Sequence, residues 1–497
     1  MPVASSRHSR ADRTLTTRTA AGIAGRLPAA AQRRATAILR VAPAGVLALF
    51  AAGILLRLAL TISYRPAFLG FPDAQGYVEA ASDGIFDNSL RTGGYALFLR
   101  AVHALSDDLA VTILLQHLLG VASAALLYAA VRRVGASPWL AALPAAVVLF
   151  GGVQLYLEHS PLSEALFGCL ICAALFCAAQ TIAGGRAIPW LLAVGGLLGA
   201  AAVIRPAGLL VAPVLALWVL FDRAPRRVLT AGALVVVAAL PMVAYVVAQS
   251  EKTGFTGITR SEGWSLYGRV AEFADCSRFD PPAGTAVLCE ETPAVERRAA
   301  ADYLFDPAVS PAIQAYGRLP SENDEVGAFA RAAILGDPLA YLRTVARDFV
   351  RYATPNSWER QGMGFQTETL VPYIHDQARE DQAIRAVARY WDTAGFARSD
   401  LRGFDAYANA VTVEGPLVAL LGLLALCGLV ALRGLQRRAA ALFALTALAL
   451  MLFPVATLSY DVRYATPAYG PLAAAAALGL GALIARIRAD SERAATP

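Results

Sequence analysis

The residues best suited to chemistry fall in four short polar stretches set between long apolar runs. Asp73 lies in Phe71-Pro72-Asp73-Ala74-Gln75-Gly76-Tyr77-Val78-Glu79, just after the first apolar run ends. A carboxylate there can take a proton from a hydroxyl, and Tyr77 follows on what reads as the same short helix. Glu158-His159-Ser160-Pro161-Leu162-Ser163-Glu164 supplies two acids and an imidazole. Glu164 falls about one turn into the next apolar run, where an acid is costly unless it is paired or near water. Arg205 stands alone at a tight turn between two apolar runs. It suits a structural ion pair or a planar fork for phosphate oxygens. Ser459-Tyr460-Asp461-Val462-Arg463-Tyr464-Ala465-Thr466-Pro467 packs an acid, a base and two phenols into a last boundary loop. Plainer readings stand beside these: a solvated acid for Asp73, a partner for a buried arginine for Glu164, a structural hydrogen bond for His159, and interfacial belt positions for the tyrosines.

Membrane helices must position these stretches. The chain is 57% hydrophobic with a mean hydropathy of +0.52, too apolar for a soluble protein of 497 residues. Several runs reach the roughly 20 residues needed to cross a bilayer, and backbone groups in lipid leave such runs no choice but a helix. The expected fold is mainly α, a polytopic transmembrane helix bundle. About ten spans are read near 41–62, 109–131, 138–157, 161–182, 188–204, 206–221, 228–248, 416–432, 439–458 and 466–485. Arg132/Arg133, Arg186, Arg223/Arg226/Arg227, Arg433/Arg437/Arg438 and Arg486/Arg488 then share a side with the Arg-rich N-terminal arm. The positive-inside rule makes that side cytoplasmic, with both termini there. The net charge of +6 follows this topology and is no nucleic-acid footprint, and no nucleotide-binding loop is present.

Four regions follow: a basic cytoplasmic arm, 1–40; a transmembrane catalytic module, 41–248; an extracytoplasmic segment, 249–415; and a C-terminal transmembrane module with a short tail, 416–497. In the first outer loop, 73–82 and 93–102 read as short interfacial helices. In the long outer segment, helical periodicity appears at 324–335, 338–352 and 379–393, so a small α-rich unit is expected there. Cys276 and Cys289 share that segment, and an extracytoplasmic location favours a disulfide between them. Cys169, Cys172, Cys177 and Cys427 lie in apolar runs and read as small core residues. Ser160-Pro161, Arg205-Pro206, Gly415-Pro416 and Thr466-Pro467 each place proline where a helix should begin, with Ser160 and Thr466 as N-caps. Those helix starts open onto the face that carries the polar stretches, where they favour an anion such as phosphate.

In order and sidedness these motifs resemble the GT-C glycosyltransferases, multi-pass enzymes that use polyprenyl-phosphate sugars and include the protein O-mannosyltransferases and the aminoarabinose transferases of lipid A. Asp73 matches the catalytic acid of their first outer loop, and Glu158-His159-Ser160 matches an acidic second outer loop. Ile204-Arg205-Pro206 is similar to a turn in those sequences, and Arg463-Tyr464 followed by Pro467 looks like their Arg-Tyr-x-x-Pro element. Ala74 stands where many members carry a second acid.

The resemblance implies a hexosyl- or pentosyltransferase in a bacterial plasma membrane. It would move a sugar, with inversion, from a polyprenyl-phosphate donor to a cell-envelope glycan, lipid or protein acceptor at the extracytoplasmic face. Asp73 would be the general base; Arg205, Arg463, Tyr464, Tyr77 and Glu164 would bind the donor phosphate and substrate. A divalent metal cation is the one cofactor implied, held by Asp73, Glu158 and His159. Membrane lipids are expected partners and nucleic acid is not. The rival readings are a lipid or solute transporter or flippase, which asks for charges deep in the spans and broken helices, a non-glycosyl lipid-linked transferase, and a non-catalytic cell-envelope scaffold.

Overall fold

The structure, a computed structural model, describes residues 43–88, 90–184, 187–221, 226–354, 377–392, 402–413 and 415–495. The described chain divides into two units after Ala51. The protein is mainly α: the described residues hold no strand beyond one isolated bridge between Asp108 and Asp392. The N-terminal arm, Arg186 and Arg223 lie outside the described residues.

Helix α1 is Ala44–Ser63. Two short helices follow, α2 at Pro72–Ser82 and α3 at Gly94–His103, close to the expected 73–82 and 93–102. Pro72 sits at the first position of α2, where its missing N–H costs nothing, and Asp73 in the first turn complements the helix dipole. On α3 the buried side chains Tyr95, Leu99 and Val102 repeat at helical spacing, so one stripe packs inward. The apolar helices are α4 (Leu109–Arg133), α5 (Pro138–Phe150), α6 (Gly152–Glu158), α7 (Glu164–Ile182), α8 (Ala187–Ile204), α9 (Gly208–Leu220) and α10 (Arg227–Thr253).

Beyond α10 the long polar segment carries α11 (Glu262–Ala271), α12 (Ala300–Phe305), α13 (Pro311–Tyr316), α14 (Asn323–Gly336), α15 (Pro338–Arg351), α16 (Gln377–Val387) and α17 (Arg402–Ala410). The chain then returns to apolar helices: α18 (Pro416–Ala431), α19 (Gly434–Thr457) and α20 (Val462–Ala495).

Six of these helices are long and apolar enough to cross a membrane, or seven if α5 and α6, bent by 56° at Gly151, count as one span. This is a multi-pass membrane protein. The ten expected spans also include Ile188–Ile204, Gly208–Leu220 and Pro416–Ala431, which are shorter. At 1.5 Å per residue they reach only about 20–25 Å of a hydrocarbon core about 30 Å thick.

The last helix organises the bundle, packing on α5, α18 and α19. Its run Ala473–Ala477 is wholly buried, as expected where small residues let helix backbones approach. Glycine meets glycine here: Gly428 of α18 lies 3.0 Å from the Cα of Gly479, measured from where a Cβ would stand. Any side chain at Gly479 would strike the Leu424 carbonyl.

Three expected helix starts are corrected. Pro467 lies inside α20, which begins at Val462 because the Asp461 carboxylate accepts the Arg463 N–H at 2.9 Å and caps the helix five residues earlier than expected. Thr466 is therefore no N-cap; its hydroxyl donates to the Val462 carbonyl. Likewise α7 begins at Glu164 rather than Pro161, so Glu164 is the first residue of its helix, with Ser163 rather than Ser160 at the cap position. Pro206 precedes α9, whose first residue is Gly208, whereas Pro416 does open α18. Of the cysteines read as core, Cys172 and Cys177 are buried, but Cys427 lies on an exposed face.

The polar segment has a core of its own, built on Trp264, Tyr267, Tyr303, Leu304, Val326 and Phe329. Cys276 and Cys289 form a disulfide beside it, with Cα atoms 5.9 Å apart. Arg269 ties this core together, bonding Asp348 of α15 at 2.6 Å and Glu272 at 2.8 Å. The segment also grips the bundle: the Tyr341 hydroxyl donates to the Ala456 carbonyl, and that of Tyr352 to the Asp461 carbonyl. The second contact holds the loop that carries Asp461.

Candidate active site

Residues far apart in sequence converge where α2, α7 and α20 begin. Asp73 on the first turn of α2 is bridged by two guanidiniums: Arg91 binds one carboxylate oxygen, and Arg463 binds the other at 2.8 Å. Arg463, on the first turn of α20, also lies 3.3 Å from Asp461 and 3.7 Å from Glu164. Arg205, in the turn between α8 and α9, binds Glu164 at 2.6 Å and donates to the Ser163 hydroxyl at 3.0 Å. The Tyr77 and Ser163 hydroxyls share a hydrogen bond of 2.9 Å. Aromatic faces fix the arginines: Arg463 stands 4.2 Å from the Phe71 ring centroid and 4.8 Å from that of Tyr464. Arg205 covers Tyr464 from its other neighbour, at 5.7 Å, and Arg91 lies 5.3 Å from the Tyr77 ring. The structure thus brings together Asp73, Tyr77, Glu164, Arg205, Arg463 and Tyr464.

Three carboxylates and three guanidiniums make the cluster formally neutral, and their exposure differs in a useful way. Glu164 is 3% exposed, whereas Asp73 is 17% exposed and can be reached. Burial on its own would raise the Asp73 pKa, but Arg463 and then Arg91 outweigh it and hold the carboxyl well below the usual carboxylate range. Asp461 goes the other way: burial raises its pKa, and Arg463 offsets this only in part. Each oxygen of Asp73 binds one guanidinium and keeps a second lone pair free for a hydroxyl proton.

Two members of the cluster are not among the expected site residues. Arg91 is held by Asn88, whose side-chain oxygen accepts the Leu90 and Arg91 backbone N–H groups while its amide donates to the Gly76 carbonyl. Gly76 leaves the room Arg91 needs, since a Cβ there would stand 3.0 Å from its Nη1. Its signal in the sequence was an arginine in a loop on the side away from the basic connections, a property it shares with Arg205 and Arg463. Asp461 is legible only as the neighbour of Arg463.

Glu158 and His159 belong to a different network and do not join Asp73. Glu158 is wholly buried and receives the Arg57 guanidinium through both oxygens, at 2.7 and 2.8 Å. It also lies 3.0 Å from His117 Nδ1 and accepts the Gln154 amide at 2.9 Å. His159 Nε2 donates to the Tyr64 carbonyl, so its Nδ1 accepts from His117 Nε2 at 3.0 Å. Gly120 makes space for the carboxylate, because a Cβ there would fall 1.9 Å from Glu158 Oε1.

The expected metal set is corrected accordingly. Asp73 is occupied by guanidiniums and Glu158 by Arg57, while His159 has both ring nitrogens engaged. Among the described residues, no group of three or more His, Cys, Asp or Glu side chains could hold a metal ion. The cation lying between Asp73 and Glu164 is Arg463. These residues do not fit a divalent ion.

The Glu158 network reads as structural, which gives a first prediction. Glu158→Gln should destabilise the protein by about 3–5 kcal/mol, because it leaves the buried Arg57 charge uncompensated. The KM of whatever protein remains folded should be unchanged. Thermal unfolding in detergent checks this, and a variant with wild-type stability would contradict the structural role.

The two ends of the bundle are chemically distinct. Gly135, Ala136 and Ser137 share a groove with Arg433 and Arg486, and the Trp218 indole donates to the Arg438 carbonyl at 3.0 Å. The turn after α4, the connection after α18 with Arg433, the start of α19 with Arg438, and Arg486 in the second half of α20 therefore share the end opposite to Asp73 and Arg463.

No family model matches the sequence, and no curated protein matches it. Among solved structures, the chain is similar to the apo oligosaccharyltransferase of Archaeoglobus fulgidus, with a TM-score of 0.46 and 13% identity over 90% of this chain and 52% of that one. It is similar to the same organism's oligosaccharyltransferase AglB in complex with an inhibitory peptide and a dolichol-phosphate, at 0.44 and 13%, over 91% and 52%. It is also similar to the Saccharomyces cerevisiae protein O-mannosyltransferase Pmt1-Pmt2 complex bound to the sugar donor, at 0.34 and 16%, over 46% and 36%. Each is a sugar transferase. The chain spans about a third to a half of the length of these proteins. All three TM-scores lie below 0.5, and function here rests on the chemistry of the site.

Proposed function

We propose that this protein is an integral membrane glycosyltransferase of the GT-C kind, moving a sugar from a polyprenyl-phosphate donor to a cell-envelope acceptor at the extracytoplasmic face, with inversion. The observation that carries this reading is one partly exposed carboxylate, Asp73, beside an arginine cluster placed where helices begin. In the proposed reaction the acceptor hydroxyl attacks the anomeric carbon while Asp73 takes its proton. The bond from the anomeric carbon to the phosphate oxygen breaks, and its electron pair leaves with the phosphate. Arg463 and Arg205 stabilise the charge that gathers there, as fixed donors do best in a site shielded from water. Taking the donor from the bilayer makes a nucleotide-binding domain unnecessary.

The ion pairs suggest an order of events. An arriving donor phosphate competes with Asp73 for Arg463, and the base is freed as the donor binds. Asp461 competes for the same guanidinium, which sets a pH dependence. A carboxyl with a raised pKa is the first to be protonated as pH falls, whereas Asp73, with a depressed pKa, stays ionised below the ordinary carboxylate range. As Asp461 is neutralised, the donor KM should fall by about fivefold, equivalent to about 1 kcal/mol for a partly exposed ion pair. Asp461→Asn should show the low KM at every pH. A donor KM that does not change with pH in the wild type would remove Asp461 from the donor site.

The transporter reading draws on two observations, the bend between α5 and α6 and the burial of Arg57. Both meet in the Arg57–Glu158 pair, which is sealed at 3% and 0% exposure and fully hydrogen bonded. The deciding experiment is incubation of purified protein with a panel of radiolabelled polyprenyl-phosphate sugars and envelope acceptors. Label transfer to an acceptor supports the enzyme. Movement of intact donor across proteoliposomes without transfer would overturn it.

A further inference from the structure

The end of the bundle away from Asp73 holds a groove of about 640 Å³ that the proposed reaction does not use. It opens between the turn at 135–137, the connection from α18 to α19, and the second half of α20. Along α20 it lies about 30 Å from Arg463, at 1.5 Å per residue. Its wall is apolar, with Leu140, Leu432 and Leu478, and its floor includes Gly481. A Cβ on Gly481 would stand 2.8 Å from the Leu140 side chain, so the missing side chain keeps the floor open. Two exposed guanidiniums, Arg433 and Arg486, line the same groove.

We infer that this groove binds one anionic phospholipid, its phosphodiester headgroup on Arg433 and Arg486 and an acyl chain along Leu140, Leu478 and Gly481. Charge is the first argument. Neither arginine forms an ion pair with an acid among the described residues, in contrast to Arg91, Arg205 and Arg463 at the other end. Two cations without a counter-charge at the mouth of a cleft call for an anion. The apolar wall is the second argument: a free phosphate would satisfy the arginines alone, whereas a lipid also fills the apolar part of the groove beside the half-buried Leu140 and Gly481. The volume falls within the roughly 300–1,000 Å³ of ordinary ligand clefts. A zwitterionic lipid offers the same phosphate but sets its own cation beside the two guanidiniums, which disfavours it.

The test is native mass spectrometry of the full-length protein, delipidated in detergent and titrated with three probes: phosphatidylglycerol, phosphatidylcholine with the same chains, and glycerophosphoglycerol, the headgroup alone. One tightly bound phosphatidylglycerol is expected, with phosphatidylcholine at least about tenfold weaker and the headgroup alone undetected. The double variant Arg433→Gln/Arg486→Gln should weaken phosphatidylglycerol at least about tenfold, equivalent to about 1.4 kcal/mol. Arg437→Gln, an exposed neighbour outside the groove, should bind as the wild type does. Both arginines are exposed, so the double variant should fold; a melting curve that matches the wild type checks this. Gly481→Leu, which fills the floor with both arginines present, should weaken the lipid independently. Equal binding by wild type and the double variant would overturn the site. So would a headgroup that binds as tightly as the lipid, which would identify a soluble anion instead.

Discussion

Asp73→Asn should lower kcat by about 10²–10⁴-fold, the range that a positioned general base contributes, while the donor still binds. Asparagine keeps the shape of the side chain and an oxygen for Arg463, but it cannot hold the acceptor proton. It also removes one negative charge from between Arg91 and Arg463. The arginines are then better placed for an anion, so donor affinity should hold or improve as turnover collapses. A residue that merely bound substrate would show the opposite split, a higher KM at an unchanged kcat. Stability should fall by no more than about 1 kcal/mol, since the carboxylate is partly exposed. Turnover near the wild-type rate, with the true donor and acceptor, would remove Asp73 from the chemistry.

Arg463→Gln should strike both donor affinity and turnover, and stability with them. The guanidinium is shared among Asp73, Asp461 and Glu164 and lies against the Phe71 and Tyr464 rings. Its removal leaves three acids gathered with less positive charge, at a cost of about 3 kcal/mol in stability. Loss of a fixed donor on the leaving phosphate should reduce kcat by about 10²–10³-fold. Arg463→Lys separates charge from geometry: it restores the cation but not the planar fork. Its stability should recover more than its activity. If lysine restores full turnover, the arginine acts only as a charge, and the proposed grip on the phosphate fails. Melting curves and donor titrations on the two variants, side by side, give the answer.

The two acids on either side of His159 show where sequence reasoning stops. Glu158 and Glu164 stand six residues apart in the sequence and look alike as strings. The chain between α6 and α7 turns one acid toward Arg57 and His117 and the other toward Arg205 and Arg463. Nothing local distinguishes them. The choice depends on Gly120, some forty residues upstream in sequence, which leaves a hole of the right size for one carboxylate. The metal set of Asp73, Glu158 and His159 fails for the same reason, since which charges share a pocket is a property of helix packing.

What the sequence determined by itself was whatever depends on periodicity and on transfer from water. Apolar runs of bilayer length, the amphipathic stripes of α2, α3, α14 and α15, and the arginine-rich connections can all be read without contacts, because each follows from neighbours on one helix or from the cost of burying charge. The tertiary structure alone decided the partners. Arg91 reaches Asp73 across a loop pinned by Asn88, and Arg463 joins the site because Asp461 starts α20 early. The neutral balance of three acids and three guanidiniums arises only when α2, α7 and α20 meet. Ion pairing acts over a few ångströms in space, and distance along the chain carries no record of it.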